Sequence, residues 1–225
     1  MKPGLVVFDL DGTLIDSQVD LANSMNATLE HLGKPRLPAQ VIAGYIGDGA
    51  AMLVRRALGD PEGDVHDEEY VQAALGYFLE YYRAHKLDFT TMYAGVIEAL
   101  EGLRVEWPGM PMAVLTNKPV RPSREICAHF GLDRFFFQNY GGNSFHTKKP
   151  DPTGLLALVA EAGTEPGATV LVGDSDVDVL TARNAGVLVV GCLFGLAPER
   201  LRVAGPDALV DSPAGWADAI RSFPG

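Results

Sequence analysis

The chain has 225 residues, with 18 basic and 29 acidic side chains and a formal net charge of −11. This charge argues against a general nucleic-acid or membrane-surface binder, since both of those partners are polyanionic and attract a basic protein face. Hydrophobic residues make up 47% of the chain, enough to bury the core of one large domain, or of a main domain of about 150 residues with an insert.

The cysteines and the apolar segments exclude further classes. Cys127 and Cys192 are the only two cysteines, so no disulfide framework and no Cys-x-x-Cys zinc site is indicated. The longest apolar run, residues 185–197, is interrupted by glycines and is shorter than the roughly 20 residues of a membrane-spanning helix. The first residues lack the apolar segment and cleavage site of a signal peptide. We therefore expect a cytoplasmic protein that does not enter or bind membranes.

The apolar pattern along the chain predicts an α/β fold. Short continuous runs rich in Val and Leu predict buried strands at residues 5–8, 112–115, 170–172, 187–192 and, more weakly, 208–210. Continuous runs of this kind suit a parallel sheet that is covered on both faces. Between them lie apolar residues three or four positions apart, which predict helices. Strands and helices in alternation predict a doubly wound, Rossmann-like parallel sheet.

Residues 16–88 interrupt this alternation, because they carry helical patterns and no predicted strand. Leu21, Met25 and Leu29 share one helix face, and three further helical patterns follow. The sequence therefore predicts an α-helical insert at 16–88 and an α/β core formed by 1–15 and 89–225. An insert placed directly after the first strand is expected at the carboxyl edge of the sheet, where such sheets bind ligands, so we expect it to act as a lid.

The first predicted strand ends in the sequence Asp9-Leu10-Asp11-Gly12-Thr13. Two carboxylates two residues apart, in a turn that leaves a strand, can both point into a crevice. Gly12 permits a tight turn, and we expect its N–H to be available to an anion. A capped turn without any function is the alternative interpretation of this motif.

Three more polar motifs follow in the chain. Thr116 and Asn117 come directly after a strand, where a hydroxyl and an amide can hold phosphate oxygens. Lys149 precedes a proline on a stiff segment, which suits a fixed positive charge. Asp174 and Asp178 follow another buried strand, and carboxylate oxygens at a strand end suit Mg²⁺. Each motif alone has a simpler explanation, such as a helix cap or a surface lysine, but these do not explain all four in this order.

The four motifs together resemble those of the haloacid dehalogenase superfamily, and the helical insert resembles its C1-type cap. The resemblance implies that Asp9 is a nucleophile that forms an aspartyl-phosphate, and that Asp11 is the general acid and then the general base. It implies that Thr116 and Lys149 hold the phosphoryl oxygens. It also implies a Mg²⁺ site whose ligands and supports are Asp9, Asp11, Asp174 and Asp178.

A closer resemblance is to the phosphoglycolate phosphatase-like branch of the superfamily. Tyr45-Ile46-Gly47-Asp48-Gly49-Ala50 resembles the cap loop of that branch, and this places Asp48 among the candidate substrate-binding residues. A carboxylate there would repel a carboxylate of the substrate, unless Arg55, Arg56 or another cation compensates. The alternative is that Asp48 caps the helix that follows.

These features predict a magnesium-dependent phosphatase of a small phosphomonoester, with phosphoglycolate as the favoured substrate, acting as a monomer or homodimer. Three alternatives remain open. The first is a sugar-phosphate mutase resembling β-phosphoglucomutase, and the second is a pyrophosphatase on the same fold. The third is a non-enzymatic binder of metal or phosphate, which the presence of both Asp9 and Asp11 disfavours.

Overall fold

The computed structural model describes residues 1–224. Within them the strands are β1 (Leu5–Phe8), β2 (Ile15–Asp16), β3 (Thr91–Met92), β4 (Met112–Leu115), β5 (Gln138–Tyr140), β6 (Thr169–Gly173), β7 (Leu188–Cys192) and β8 (Ala208–Val210). The helices are α1 (Gln18–His31), α2 (Ala39–Ala43), α3 (Ala50–Leu58), α4 (Glu68–His85), α5 (Val96–Glu106), α6 (Val120–His129), α7 (Thr153–Glu161), α8 (Asp176–Ala185), α9 (Pro198–Ala204) and α10 (Trp216–Ser222).

The chain divides into two compact units. One comprises Met1–Asp16 together with the chain from Met92 onward, and the other is Ser17–Thr91. The second unit contains α1 to α4, and its own core is built from residues such as Met25, Leu29 and Phe78. It therefore buries its own apolar surface.

The first unit is built on a six-stranded sheet with the order β5-β4-β1-β6-β7-β8. Every neighbouring pair in this sheet is parallel. β1 lies between β4 and β6, and Phe8 pairs with Val114 on one side and with Val172 on the other. The carboxyl ends of β4, β1 and β6 consequently lie side by side at one edge of the sheet.

Both faces of this sheet are covered, which explains why its central strands are apolar throughout. On one face, Val7 belongs to a core cluster that includes Leu158 of α7 and Val179 of α8. On the other face, the ring of Phe8 lies 5.1 Å from that of Trp216, a fully buried residue at the start of α10. The predicted α/β fold with a doubly wound parallel sheet is confirmed.

The structure differs from the predicted elements in a few places. Strand β5 was not predicted, because Gln138, Asn139 and Tyr140 form no apolar run. As an edge strand it is only partly buried, so it does not need one. The short strands β2 and β3 were not predicted either, and β7 begins at Leu188 instead of residue 187.

Candidate active site

Polar side chains follow each of the three central strands at the same edge of the sheet. Asp9 follows β1, Thr116 follows β4, and Asp174 follows β6. The backbone continues the strand pattern by one residue here, since Asp9 N donates to Val172 O at 2.9 Å and Thr116 N to Tyr140 O at 3.0 Å. The sheet therefore holds these residues in fixed positions.

A cluster of three buried carboxylates forms the centre of this edge. Asp9, Asp174 and Asp178 each place an oxygen within 4.8 Å of the others. Lys149 is also buried, and its Nζ lies 2.9 Å from Asp9 Oδ1 and 2.6 Å from Asp178 Oδ1. The structure thus brings together four of the residues that were predicted from separate motifs.

Asp178 is held at the start of α8 by a capping box. Its Oδ2 accepts hydrogen bonds from Ser175 N at 3.1 Å and from Ser175 Oγ at 2.7 Å, and the Ser175 side chain accepts from Asp178 N in return. Asp178 therefore caps its helix and also binds Lys149. This arrangement is compatible with Asp178 as a helix cap and also with Asp178 as a support of the predicted metal site.

Burial strongly affects the protonation of these groups. It raises the pKa of Asp9 to about 7, and the neighbouring Lys149 opposes the rise. Burial, together with Asp178 and Asp9, holds the pKa of Asp174 well above its ordinary value. Burial alone would lower the pKa of Lys149, but Asp178 and Asp9 raise it above its ordinary value. Buried carboxylates with these shifts indicate a site that lacks sufficient positive charge of its own.

The donor set fits a Mg²⁺ ion. Three carboxylates around one ammonium group leave an excess negative charge of two, which a divalent cation would neutralise. The ligand atoms are hard oxygens, and Mg²⁺ binds through one or two carboxylates together with water and substrate phosphate. Asp9 and Asp174 are the members of the cluster best suited to bind the ion, because both oxygens of Asp178 already have hydrogen-bond partners.

Two glycines allow Asp174 to enter the cluster. A Cβ atom on Gly12 would lie 2.1 Å from Asp174 Oδ2, and one on Gly195 would lie 2.3 Å from Asp174 Cβ. Leu196 N, in the loop after β7, donates to Asp174 Oδ2 at 2.7 Å. The expectation that the N–H of Gly12 is available to an anion is wrong, because the turn closes on itself and Gly12 N donates to Ile15 O at 2.8 Å.

Asp11 is paired with a residue that the sequence analysis did not single out. Lys118 Nζ lies 2.8 Å from Asp11 Oδ1 and 2.9 Å from Oδ2. The sequence indicates that Lys118 lies near the site, since it is only two residues beyond Thr116 at the same strand end, but it does not indicate the pairing with Asp11. A lysine two residues past a strand is common on protein surfaces, however, and only the fold shows that this one is buried.

The two polar residues after β4 make different contacts. Thr116 is buried, and its Oγ1 accepts a hydrogen bond from Lys118 N at 3.2 Å. Asn117 Nδ2 donates to the backbone carbonyl of Lys149 at 2.9 Å. Asn117 thereby fixes the segment that carries Lys149.

Asp48 lies in the helical unit and is paired with an arginine. Its Oδ2 is 2.6 Å from Arg56 Nη1, which also donates to Tyr45 O at 3.3 Å. Gly49, and not Asp48, is the capping residue at the start of α3. Arg56 therefore offsets the charge of Asp48, and a contact of Asp48 with substrate stays a prediction.

These features agree with comparisons to known proteins. The family model described as a haloacid dehalogenase-like hydrolase matches residues 6–192. The chain therefore belongs to the haloacid dehalogenase-like hydrolases, as the four motifs predicted. Among residues 1–224, no helix has both the length and the apolar composition needed to cross a membrane.

Within the family, the chain is similar to phosphoglycolate phosphatases. It is 42% identical over 195 residues to phosphoglycolate phosphatase 1 of Pseudomonas aeruginosa, covering 86% of this chain and 70% of the relative. It is 37% identical over 217 residues to that of Chromobacterium violaceum, covering 96% of both. A crystal structure of a predicted phosphoglycolate phosphatase from Haemophilus somnus matches with a TM-score of 0.89 at 32% identity, covering 97% of this chain and 98% of that one. The expected resemblance to this branch is confirmed.

Proposed function

We propose that this hydrolase is a magnesium-dependent phosphatase that cleaves small phosphomonoesters, with phosphoglycolate as the preferred substrate. The observation that carries the proposal is the position of Asp9, whose carboxylate lies at the end of the central strand beside Lys149, Asp174 and Asp178. The names of the relatives support the choice of phosphoglycolate.

In the proposed reaction Asp9 is the nucleophile. Its Oδ1 is held by Leu10 N at 2.7 Å and by Lys149 Nζ at 2.9 Å, so we assign the attack to Oδ2. A bond forms between Oδ2 and phosphorus, the bond from phosphorus to the ester oxygen breaks, and that oxygen takes a proton from Asp11. The products of this step are an alcohol and an aspartyl-phosphate.

The second step restores the enzyme. The Asp11 carboxylate takes a proton from a water molecule, whose oxygen attacks the phosphorus of the aspartyl-phosphate. The bond to Asp9 breaks, and inorganic phosphate leaves. Lys149 and Thr116 hold the phosphoryl oxygens in both steps, because positive charge and hydrogen-bond donors stabilise the charge on these oxygens in the transition state.

We assign the Mg²⁺ site to Asp9, Asp174 and the backbone carbonyl of Asp11, with Asp178 supporting it through Lys149 and Ser175. When bound, the ion would neutralise the excess carboxylate charge and polarise the phosphoryl group. Asn117 positions Lys149 by donating a hydrogen bond to the backbone carbonyl of Lys149. We further propose that the helical unit, Ser17–Thr91, is a cap that covers the substrate and excludes water from the reaction.

Phosphate release from a panel of esters tests this proposal. The panel contains phosphoglycolate, sugar phosphates, nucleotides and pyrophosphate, each measured with Mg²⁺ and with EDTA, beside the Asp9→Asn variant. We expect metal-dependent release, with the highest kcat/KM for phosphoglycolate, and loss of release in the variant. Isomerisation of a sugar phosphate without phosphate release would instead identify a mutase, and preference for pyrophosphate would identify a pyrophosphatase.

A further inference from the structure

Lys118 is a buried lysine whose position is fixed from several sides. Its side chain is 4% exposed, and its Nζ contacts both carboxylate oxygens of Asp11. Its N–H donates to Thr116 Oγ1 at 3.2 Å, and its carbonyl accepts from Gly142 N at 2.9 Å. Lysine is rarely buried to this degree without a charged partner. The fold therefore holds an ammonium group beside the proposed general acid.

If Asp11 protonates the leaving group, as proposed, the ammonium group of Lys118 lies on the side of the site where the leaving group departs. In the proposed reaction the ester oxygen comes within about 3 Å of the Asp11 carboxyl, since a proton passes between them. Lys118 Nζ, which is hydrogen bonded to both Asp11 oxygens, then lies within about 6 Å of the ester oxygen. Lys118 is therefore close enough to contact groups attached directly to that oxygen.

The geometry of phosphoglycolate matches this distance. A single methylene carbon separates its ester oxygen from its carboxylate, so the carboxylate oxygens lie about 3 Å from the ester oxygen. An ammonium group carries three N–H donors. Lys118 can accordingly bind the substrate carboxylate while it remains in contact with Asp11.

The charges of the cluster favour such a contact. Lys149 is committed to Asp9 and Asp178, which lie on the phosphoryl side of the site. The carboxylate of a substrate would meet Asp11, and the two negative charges would repel each other. Lys118 is a cation that lies beside Asp11. An ester without a second anionic group would not bind more tightly because of it.

We propose that Lys118 is a specificity residue that binds the carboxylate of the leaving group. It thereby selects phosphomonoesters that carry a second anionic group next to the ester oxygen. This inference rests on the proposed phosphatase function, and it assigns recognition of the substrate carboxylate to Lys118.

The test compares phosphoglycolate with ethyl phosphate, in which a methyl group replaces the carboxylate. Phosphate release is measured for the wild type, for Lys118→Met, which keeps most of the apolar stem, and for Lys118→Arg, which keeps the charge. Lys148→Met is the matched control, because Lys148 is an exposed lysine in a separate loop. Thermal unfolding of each variant shows whether it is folded.

We expect the Lys118→Met change to lower kcat/KM for phosphoglycolate at least about 10-fold more than for ethyl phosphate. Lys118→Arg should retain part of the preference, and Lys148→Met should retain all of it. An equal loss for both esters in Lys118→Met would overturn the inference, because Lys118 would then act only through Asp11. A wild-type enzyme that cleaves both esters equally well would also overturn it.

A binding measurement separates this inference from the proposed function. In the Asp9→Asn background, the rise in Tm caused by each ester is compared with and without Lys118→Met. We expect phosphoglycolate to stabilise the protein more than ethyl phosphate, and Lys118→Met to remove the difference. If the wild type releases phosphate from neither ester, the proposed function fails, and this measurement still decides the role of Lys118. An unchanged difference would contradict that role.

Discussion

Lys149 Nζ lies 2.6 Å from Asp178 Oδ1, and this contact joins the loop before α7 to the first turn of α8. The same nitrogen also contacts Asp9. One buried ammonium group therefore binds carboxylates from two different motifs and offsets one of their charges. Removing it would leave three carboxylates close together without a cation from the chain.

We expect Lys149→Met to destabilise the metal-free protein by about 3 kcal/mol or more, because breaking a buried ion pair leaves uncompensated buried charge. Urea unfolding in EDTA measures this loss, and added Mg²⁺ should reduce it. Lys148→Met serves as the control and should leave the unfolding free energy almost unchanged. Equal stability of Lys149→Met and the control would show that Lys149 does not neutralise the cluster.

The stabilisation by Mg²⁺ should depend on pH. Burial raises the pKa of Asp9 from 3.8 to about 7. Between these values the folded protein binds more protons than the unfolded chain, so the metal-free protein loses stability as the pH rises. Metal ions bind deprotonated carboxylates, so the gain from Mg²⁺ increases over the same range.

We expect Mg²⁺ to raise Tm more at about pH 8 than at about pH 5. Thermal unfolding with Mg²⁺ and with EDTA at both pH values measures the difference. Asp9→Asn removes the titrating carboxylate and should weaken the pH dependence. A rise in Tm that is the same at both pH values would count against the carboxylate cluster as the metal site.

Gly195 should strengthen metal binding although it belongs to none of the four motifs. A Cβ atom at this position would meet both Asp174 and the carbonyl oxygen of Gly12 at less than 3.0 Å. Gly195→Ala should therefore displace Asp174 and weaken Mg²⁺ affinity about 10-fold to 100-fold, the range seen when the support of a metal ligand is removed.

Titration of Tm with Mg²⁺ measures the affinity, and the Mg²⁺ concentration for half-maximal phosphate release gives a second value. Gly102→Ala is the control, since its added Cβ would meet no described atom within 4 Å beyond its own chain neighbours and helix backbone. If Gly195→Ala binds Mg²⁺ as tightly as the control does, the absence of a side chain at Gly195 is not needed to position Asp174.

Asp20 should be important for the stability of the helical unit. It is 1% exposed, and its carboxylate accepts hydrogen bonds from Phe89 N, Thr90 N and Thr90 Oγ1 at 2.7 to 3.1 Å. Asp20→Asn should cost about 2 kcal/mol, because hydrogen bonds to a charged group are lost. Denaturant unfolding checks this value. The exposed Asp88, paired with His85, provides the control, and Asp88→Asn should change stability by less than about 0.5 kcal/mol. Similar losses in both variants would contradict the prediction.

Much of the fold and site could be predicted from the sequence, because parallel strands impose a simple rule. Their carboxyl ends meet at one edge, so polar residues after separate apolar runs converge there. Asp9, Thr116 and Asp174 each follow a predicted apolar strand, so the rule accounts for their meeting in the structure. Strand β5 could not be predicted from an apolar run, because an edge strand does not need one.

Contacts between loops could not be predicted in this way. The pairing of Lys118 with Asp11 and the bond from Leu196 N to Asp174 join residues more than 20 positions apart, and no local pattern encodes them. The prediction for Gly12 was wrong for a related reason. Its tight turn was foreseen, but the use of its N–H depended on where the Ile15 carbonyl came to lie.

In the proposed mechanism, Asp9 carries the phosphoryl group during turnover. The most direct measurement is rapid acid quenching of the enzyme during hydrolysis of ³²P-labelled phosphoglycolate with Mg²⁺, followed by identification of the labelled peptide. We expect label on Asp9 in the wild type, and neither label nor phosphate release in Asp9→Asn. Normal phosphate release from Asp9→Asn, or label on another residue, would contradict it.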